Sequence, residues 1–396
     1  MPAVRAALPL WLVLFAAYAA TIAIDASPAH RFGTPEVRRL LVAESIVSDR
    51  DLDVADEYRD QAWRAWHAGP LRPVATPADG RQLEPVGVGF AVLIAPAYRI
   101  AGPSGVQLEL AALAALAFCL AAALGRALVP EPWATRAALV CGLSPPALGA
   151  ATAISPEAAG AAALAATALL ALRVRAAPQP ATAFWTAALA AALPWLAAAL
   201  IAPAFVVAGA VARWLRRGTT AFVALEVALT SAVVYITVND RLFGGLTPGA
   251  VARGGATGAH DAGDVLARWP RVARVWLDPH HGLFVWLPFA LLAVLAIGLL
   301  WRSRHERLAV AVDDQGDVEA AAGFFALIVL AVVVTAIVLA PSLDGSGRAW
   351  WHARHLVPAL PFVAALAAWG LRFAPRVGAV LAAATFIESV VLVATR

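Results

Sequence analysis

Long apolar stretches recur along the whole chain, separated by shorter polar segments. Each is close to the roughly 20 residues that a helix needs to cross a hydrocarbon core about 30 Å thick. The pattern therefore predicts an all-α polytopic membrane protein with about eleven transmembrane helices. The candidate helices cover about 8–24, 105–128, 133–153, 157–173, 182–198, 200–214, 219–238, 282–301, 320–341, 356–373 and 376–394.

Prolines make two of these regions irregular. The apolar segment 87–101 is short and contains Pro96, which predicts a re-entrant or interfacial hairpin rather than a full crossing. In the region 182–214, Pro194 and Pro203 leave two interpretations open, a turn between two helices or kinks in one long helix.

Three polar segments lie between the predicted helices, at about 25–85, 239–281 and 341–355. In the first, Thr34, Pro35 and Glu36 form a typical helix start, with proline in the first turn and a carboxylate near the positive end of the helix dipole. Apolar residues with helical spacing follow as far as Val47. We expect an amphipathic jaw helix that lies on the membrane surface and ends near Ser48.

Composition supports a membrane location and gives the chain an orientation. Apolar residues make up 61% of the sequence and mean hydropathy is +0.75, which excludes a single soluble core. The chain has no lysine, and its arginines cluster in alternate loops. Cytoplasmic loops accumulate such clusters, so the N terminus is predicted to be cytoplasmic, in the cell membrane, and the three polar segments extracytoplasmic. We expect one domain over 1–396 with no separate soluble C-terminal domain, and no nucleic-acid binding.

Carboxylates are the first candidates for chemistry in the outer segments. Asp25 and Glu36, with an acidic run at 51–57, can act as a general base or hold a divalent cation, or form a hydrated loop. Glu157 follows Ser155 and Pro156 at a helix start at membrane depth. It is either functional or, with Ser155, part of a helix cap.

A second candidate group combines a carboxylate with two histidines. Asp278, His280 and His281 precede a predicted membrane helix and are candidates to bind metal or phosphate. Their spacing is not diagnostic of a metal site. The sequence therefore assigns no cofactor, and a divalent cation remains only a candidate.

Arginines flanking a tryptophan pair form the last candidate group. Arg348 and Arg354 are suited to clamp a phosphate headgroup, while Trp351 and His352 between them can contact a sugar or a prenyl chain. The competing interpretation is an ordinary aromatic and basic belt at the membrane interface.

In this order the segments resemble the membrane glycosyltransferases of the GT-C superfamily, which includes protein mannosyltransferases and aminoarabinose transferases. The likeness covers most of the chain. It rests on the helix start at 34–47 leading into Asp-Leu-Asp at 51–53, on Ser-Pro-Glu at 155–157, on Asp-Pro-His-His-Gly-Leu at 278–283, and on Trp350 to Pro361.

The resemblance implies a polyprenyl-phosphate-linked sugar as donor and an extracytoplasmic acceptor of unknown identity. Transfer would invert the sugar carbon, with Glu36 or Asp25 as base and Arg348 and Arg354 on the phosphate. The chain departs from the family pattern at Pro35, which replaces the first of two adjacent carboxylates.

This departure keeps a second function open: a non-catalytic relative that binds or moves prenyl lipid, or a scaffold subunit in cell-envelope assembly. A secondary transporter would predict inverted repeats or paired half-helices, and neither is evident in the sequence.

Overall fold

A computed structural model describes residues 2–24, 32–74, 81–215, 218–252, 270–279, 282–306, 315–339 and 353–394. Throughout these ranges the regular structure is helical and contains no strand. The α-helices are α1 (Pro2–Ile24), α2 (Thr34–Ser48), α3 (Ala55–Arg59), α4 (Val88–Gly125), α5 (Trp133–Gly142), α6 (Pro145–Thr152), α7 (Pro156–Ala176), α8 (Pro180–Leu196), α9 (Ile201–Leu215), α10 (Thr219–Phe243), α11 (Arg271–Leu277), α12 (Leu283–Trp286), α13 (Leu291–Glu306), α14 (Gln315–Leu339), α15 (Leu360–Phe373) and α16 (Pro375–Ala394).

Within the described ranges, 7 helices are long and apolar enough to cross a membrane. They include α4, α7, α10, α14 and α16. Shorter apolar helices cover Ala7–Ile22, Pro180–Leu196 and Pro288–Arg302. The prediction of an α-helical membrane protein is thus supported, whereas the count of about eleven crossings stays a prediction.

One predicted element differs from that observed, and another is described in more detail. The segment 87–101 forms the first part of α4, and the chain bends sharply at Gly102, where φ is 58°, so that a Cβ on Gly105 would lie 2.3 Å from the carbonyl oxygen of Ala97. The predicted hairpin therefore stays a prediction. A left-handed φ interrupts a helix and is easily adopted by glycine. The prediction of a continuous helix over 133–153 is wrong, because Pro145 begins a separate short helix, α6, just after Ser144.

In the region 182–214 the chain forms a turn between two helices rather than one long kinked helix. Helix α8 ends at Leu196, a short 3₁₀ segment covers Ala198–Leu200, and α9 begins at Ile201. The first helix of the chain and the helices α7, α14 and α16 lie close to their predicted positions.

The main core is formed by small residues on the long helices. Alanines on α4, α7 and α15 are buried where these helices meet. Small side chains let helix backbones approach closely, which is the usual packing mode when lipid removes the hydrophobic drive between helices.

The described part of the first polar segment, residues 32–74 and 81–86, which we call the first loop, builds a second, smaller core on α4. Helix α2 buries Leu40 and Leu41 against Phe90 and Ile94, and Ile154 completes the same cluster. Helix α2 begins at Thr34 and ends at Ser48, as predicted. Its packing on α4 fixes where the polar side chains of its first turn lie.

Candidate functional site

Glu36 lies in the first turn of α2 and is 1% exposed. Its Oε2 accepts the backbone N–H of Gly33 at 2.7 Å, which caps the helix. Its Oε1 accepts the backbone N–H of Ile154 at 3.0 Å, 118 residues further along the chain. The predicted base therefore joins α2 to the turn that precedes α7, and its role as base stays a prediction.

Arg39 follows Glu36 by three residues and so shares its face of α2. Its Nη1 donates to the carbonyl oxygen of Ile154 at 2.7 Å. Both backbone polar groups of Ile154 are thus held by one helix. Burial lowers the pKa of Arg39, and the Glu157 and Glu36 carboxylates oppose that shift. The guanidinium is in the electrostatic field of two acids at once.

Glu157 stands in the first turn of α7, directly after Pro156. A carboxylate is favourable there because it faces the positive end of the helix dipole. It interacts electrostatically with Arg39, Arg354 and His355, and it is hydrogen-bonded to the Ser155 side chain. Within the part of the chain that the structure describes, its buried Oε2 has no hydrogen-bond partner.

Arg354 begins a 3₁₀ segment, Arg354–Ala359, that packs against α7 just before α15. Its Nε donates to Nε2 of His355 at 3.2 Å. Its electrostatic partners are Glu157, Arg39 and Glu36. Ala353, immediately before it, has φ of 50°, an unusual conformation for a residue other than glycine.

These five side chains form what we call the charged cluster: Glu36, Arg39, Glu157, Arg354 and His355. They come from three segments of the chain that are far apart in sequence. Its two carboxylates interact with its two guanidiniums, and the formal charges of these four groups balance. Guanidinium groups bind phosphate oxygens in pairs, so the two arginines of the cluster are suited to bind one phosphate.

The segment Asp51-Leu52-Asp53 of the first loop has a structural role. The Asp51 Oδ1 accepts the Ser45 hydroxyl at 2.8 Å and the backbone N–H of Asp53 at 3.1 Å. The Asp53 Oδ1 accepts the backbone N–H groups of Ala55 and Gln82 at 3.1 and 2.8 Å. These carboxylates hold the loop in shape by satisfying backbone donors.

The other predicted residues fall outside the cluster or outside the described ranges. Asp278 caps the C-terminal end of α11, and its backbone carbonyl accepts the N–H of Gly282 at 2.7 Å. Its role in binding stays a prediction. The predicted residues outside the described ranges are Asp25, His280, His281, Arg348, Trp351 and His352.

The sequence prediction missed two members of the cluster, Arg39 and His355. Arg39 was recognisable in principle, because it lies one helical turn from Glu36 on the same face. His355 adjoins Arg354 but has no spacing that marks it. Comparisons with known protein families and with curated proteins find no match for this chain.

Proposed function

We propose that this protein is a membrane glycosyltransferase that moves a sugar from a polyprenyl-phosphate donor to an extracytoplasmic acceptor. One observation carries the proposal. The sequence predicts Glu36, Glu157 and Arg354 as site residues in three separate segments, and all three lie in one charged cluster. Residues that act together on one substrate must lie close together in the fold. Their distant positions along the sequence do not bring them together by themselves. The resemblance to GT-C enzymes supplies the substrate class.

The proposed reaction is a single displacement. The acceptor oxygen attacks the anomeric carbon, the bond from that carbon to the phosphate oxygen breaks, and polyprenyl phosphate leaves with the electron pair. Arg39 and Arg354 neutralise the charge that develops on the leaving phosphate. A carboxylate takes the acceptor proton. No covalent enzyme intermediate is needed, because a neutralised phosphate is a good leaving group.

The two carboxylates of the cluster differ in their hydrogen bonds. Both oxygens of Glu36 accept backbone amides, whereas Oε2 of Glu157 has no partner among the described residues. We therefore propose Glu157 as the base and Glu36 as the residue that positions it through Ile154. The earlier prediction, with Glu36 as base, is the alternative that the experiment below separates.

Transfer from a labelled polyprenyl-phosphate sugar in isolated membranes tests these roles. Glu157→Gln should abolish release of polyprenyl phosphate, and Glu36→Gln should leave measurable activity. Asp60→Asn is the control. Asp60 is an exposed acid of the first loop, so this variant should retain wild-type activity. Full activity in Glu157→Gln excludes this base, and loss of activity in Glu36→Gln alone restores the earlier assignment.

The proposal includes an orientation in the cell membrane. The N terminus is cytoplasmic, about eleven helices cross the bilayer, and α2 lies at the outer face. Its support is the alternation of arginine clusters between loops. Reporter fusions after Arg175 and after Arg376 should both report a cytoplasmic position, and an outer position for either would contradict the orientation.

A second function, binding of prenyl lipid without catalysis, is favoured by a specific observation. Both carboxylate oxygens of Glu36 accept backbone hydrogen bonds, and Pro35 stands where the GT-C pattern has the first of two adjacent carboxylates. This function predicts saturable binding of the donor with no release of polyprenyl phosphate in any membrane preparation. If this function is correct, the Glu157→Gln variant should bind the donor with the same affinity as the wild-type protein.

A further inference from the structure

Three further carboxylates meet where α2 ends and α3 begins. Asp49 is the C-cap of α2, and Asp56 and Glu57 lie in the first turn of α3. One oxygen from each lies within 4.8 Å of the other two. We call these residues the acidic triad. Helix α2 places the triad about 20 Å from Glu36, at 1.5 Å per residue, so it is separate from the charged cluster.

Glu57 is the unusual member of the triad. It is 5% exposed, and its carboxylate oxygens accept no hydrogen bond from another residue within the described ranges. Its side chain lies within hydrogen-bond distance of the Asp56 carboxylate, which is itself an acceptor. Asp51 and Asp53, in the same loop, instead accept backbone and hydroxyl donors. The loop thus provides donors for Asp51 and Asp53 but none from another residue for Glu57.

The surroundings of Glu57 make its negative charge costly. Burial is the largest influence and raises the pKa of Glu57 to about 8, and contacts with Asp56 and the charge of Glu44 act in the same direction. Glu44 itself has a buried oxygen without a partner in the described part of the chain, and its side chain is hydrogen-bonded to Tyr98. A buried carboxylate among other carboxylates requires either a proton or a cation.

We propose that the acidic triad binds a divalent cation, Ca²⁺, which joins the C-terminal end of α2 to α3. Carboxylate oxygens are the ligands that hard cations prefer. Ligand oxygens lie 2.3–2.6 Å from Ca²⁺, so two of them on opposite sides of the ion are about 5 Å apart. Three oxygens mutually within 4.8 Å therefore suit one Ca²⁺.

The exposure of Asp49 leaves an open side to this site. Water can complete the six to eight oxygen ligands that Ca²⁺ takes. Mg²⁺ is less well suited, because its ligands lie at 2.0–2.1 Å in strict octahedral geometry and the triad would have to contract. This inference does not depend on the proposed transferase function.

Terbium luminescence is the direct test, since Tb³⁺ replaces Ca²⁺ and is excited by nearby aromatic rings. Tyr58 adjoins Glu57 and stands 5.4 Å from Trp63, measured between ring centroids. The purified full chain, freed of metal with a chelator, should give a saturable Tb³⁺ signal. Ca²⁺ should displace Tb³⁺ at lower concentration than Mg²⁺ does.

Two substitutions decide whether the triad is the site. Glu57→Gln keeps the shape of the side chain and mimics its protonated form, so the protein should fold. It should weaken Ca²⁺ binding by about tenfold or more, because cation affinity follows the number of charged ligands. Asp56→Asn should do the same, and Asp60→Asn should leave the affinity unchanged.

Several results would overturn the proposal. Absence of a saturable Tb³⁺ signal from the wild-type protein means that Glu57 is simply protonated. A signal that survives in both Glu57→Gln and Asp56→Asn places the ion elsewhere. A signal that Mg²⁺ displaces better than Ca²⁺ overturns the assignment of the ion.

Discussion

The hydrogen bonds of Glu36 lead to a prediction about stability. Glutamine at this position keeps one acceptor oxygen but presents an NH₂ group to the second backbone N–H. One of the two bonds, to Gly33 at 2.7 Å or to Ile154 at 3.0 Å, is therefore lost. A hydrogen bond to a charged group contributes about 1.5–3 kcal/mol, so Glu36→Gln should lower the free energy of unfolding by that amount.

This loss corresponds to a small shift in melting temperature. The entropy of unfolding grows with chain length, at about 2.1 cal/mol/K per residue, so a protein of 396 residues should melt about 2–4 °C lower. The assay is thermal unfolding in detergent, followed by tryptophan fluorescence, with Asp60→Asn as the control that removes an exposed acid. A melting temperature for Glu36→Gln equal to that of the control would refute the assignment of both hydrogen bonds.

Three further predictions concern packing, pH and the first loop. A Cβ on Gly370 would lie 2.4 Å from the carbonyl oxygen of Leu292, so Gly370→Ala should destabilise the protein, by about 1–3 kcal/mol. Gly298→Ala, where no atom lies within 4 Å of the new Cβ, should be neutral or stabilising in the same thermal assay. Burial raises the pKa of Glu84 above 4.5, although its contacts with Tyr58 and Arg38 lower it. Its contribution to stability is therefore complete below about pH 4.5 and is lost as the pH rises through the folded-state pKa, so Glu84→Gln should flatten the pH profile of the melting temperature. Ser45→Ala removes the hydroxyl bonded to Asp51 and should cost about 1–3 kcal/mol, measured by the same unfolding assay.

Local sequence signals were sufficient for several elements. Helices α2 and α7 begin where proline and a carboxylate occupy the first turn, and these preferences act within a few residues. The same logic applied to Pro145 would have predicted the break between α5 and α6. The long apolar pattern concealed that signal.

The charged cluster could not be derived in the same way. The bond from Ile154 to Glu36 joins residues 118 positions apart, and it exists because α2 packs on α4 beside the start of α7. No spacing along the chain encodes that contact. The sequence indicated Glu36, Glu157 and Arg354 through their residue types and their places at predicted helix starts and in outer segments, and the family resemblance added to this. The hydrogen bond of Arg39 to Ile154 could not be predicted in that way.

The acidic run at 51–57 is a second case in which the sequence alone does not determine the role of each residue. Composition and spacing do not distinguish Asp51 and Asp53, which accept backbone donors, from Glu57, whose buried carboxylate oxygens accept no donor from another residue in the described ranges. The difference depends on how the loop folds over Gln82 and α2. Carboxylates in one short run therefore acquire different roles.

The most direct test of the central claim is photo-crosslinking with a polyprenyl phosphate that carries a diazirine near its headgroup. The charged cluster should direct labelling to peptides that contain Ile154 to Glu157 and Arg354 to Leu356. Unlabelled polyprenyl phosphate should compete with this labelling, the corresponding alcohol should not, and Arg39→Gln should weaken it. Labelling that is confined to lipid-facing helices such as α10, or that the alcohol displaces equally well, would contradict a phosphate site at the charged cluster.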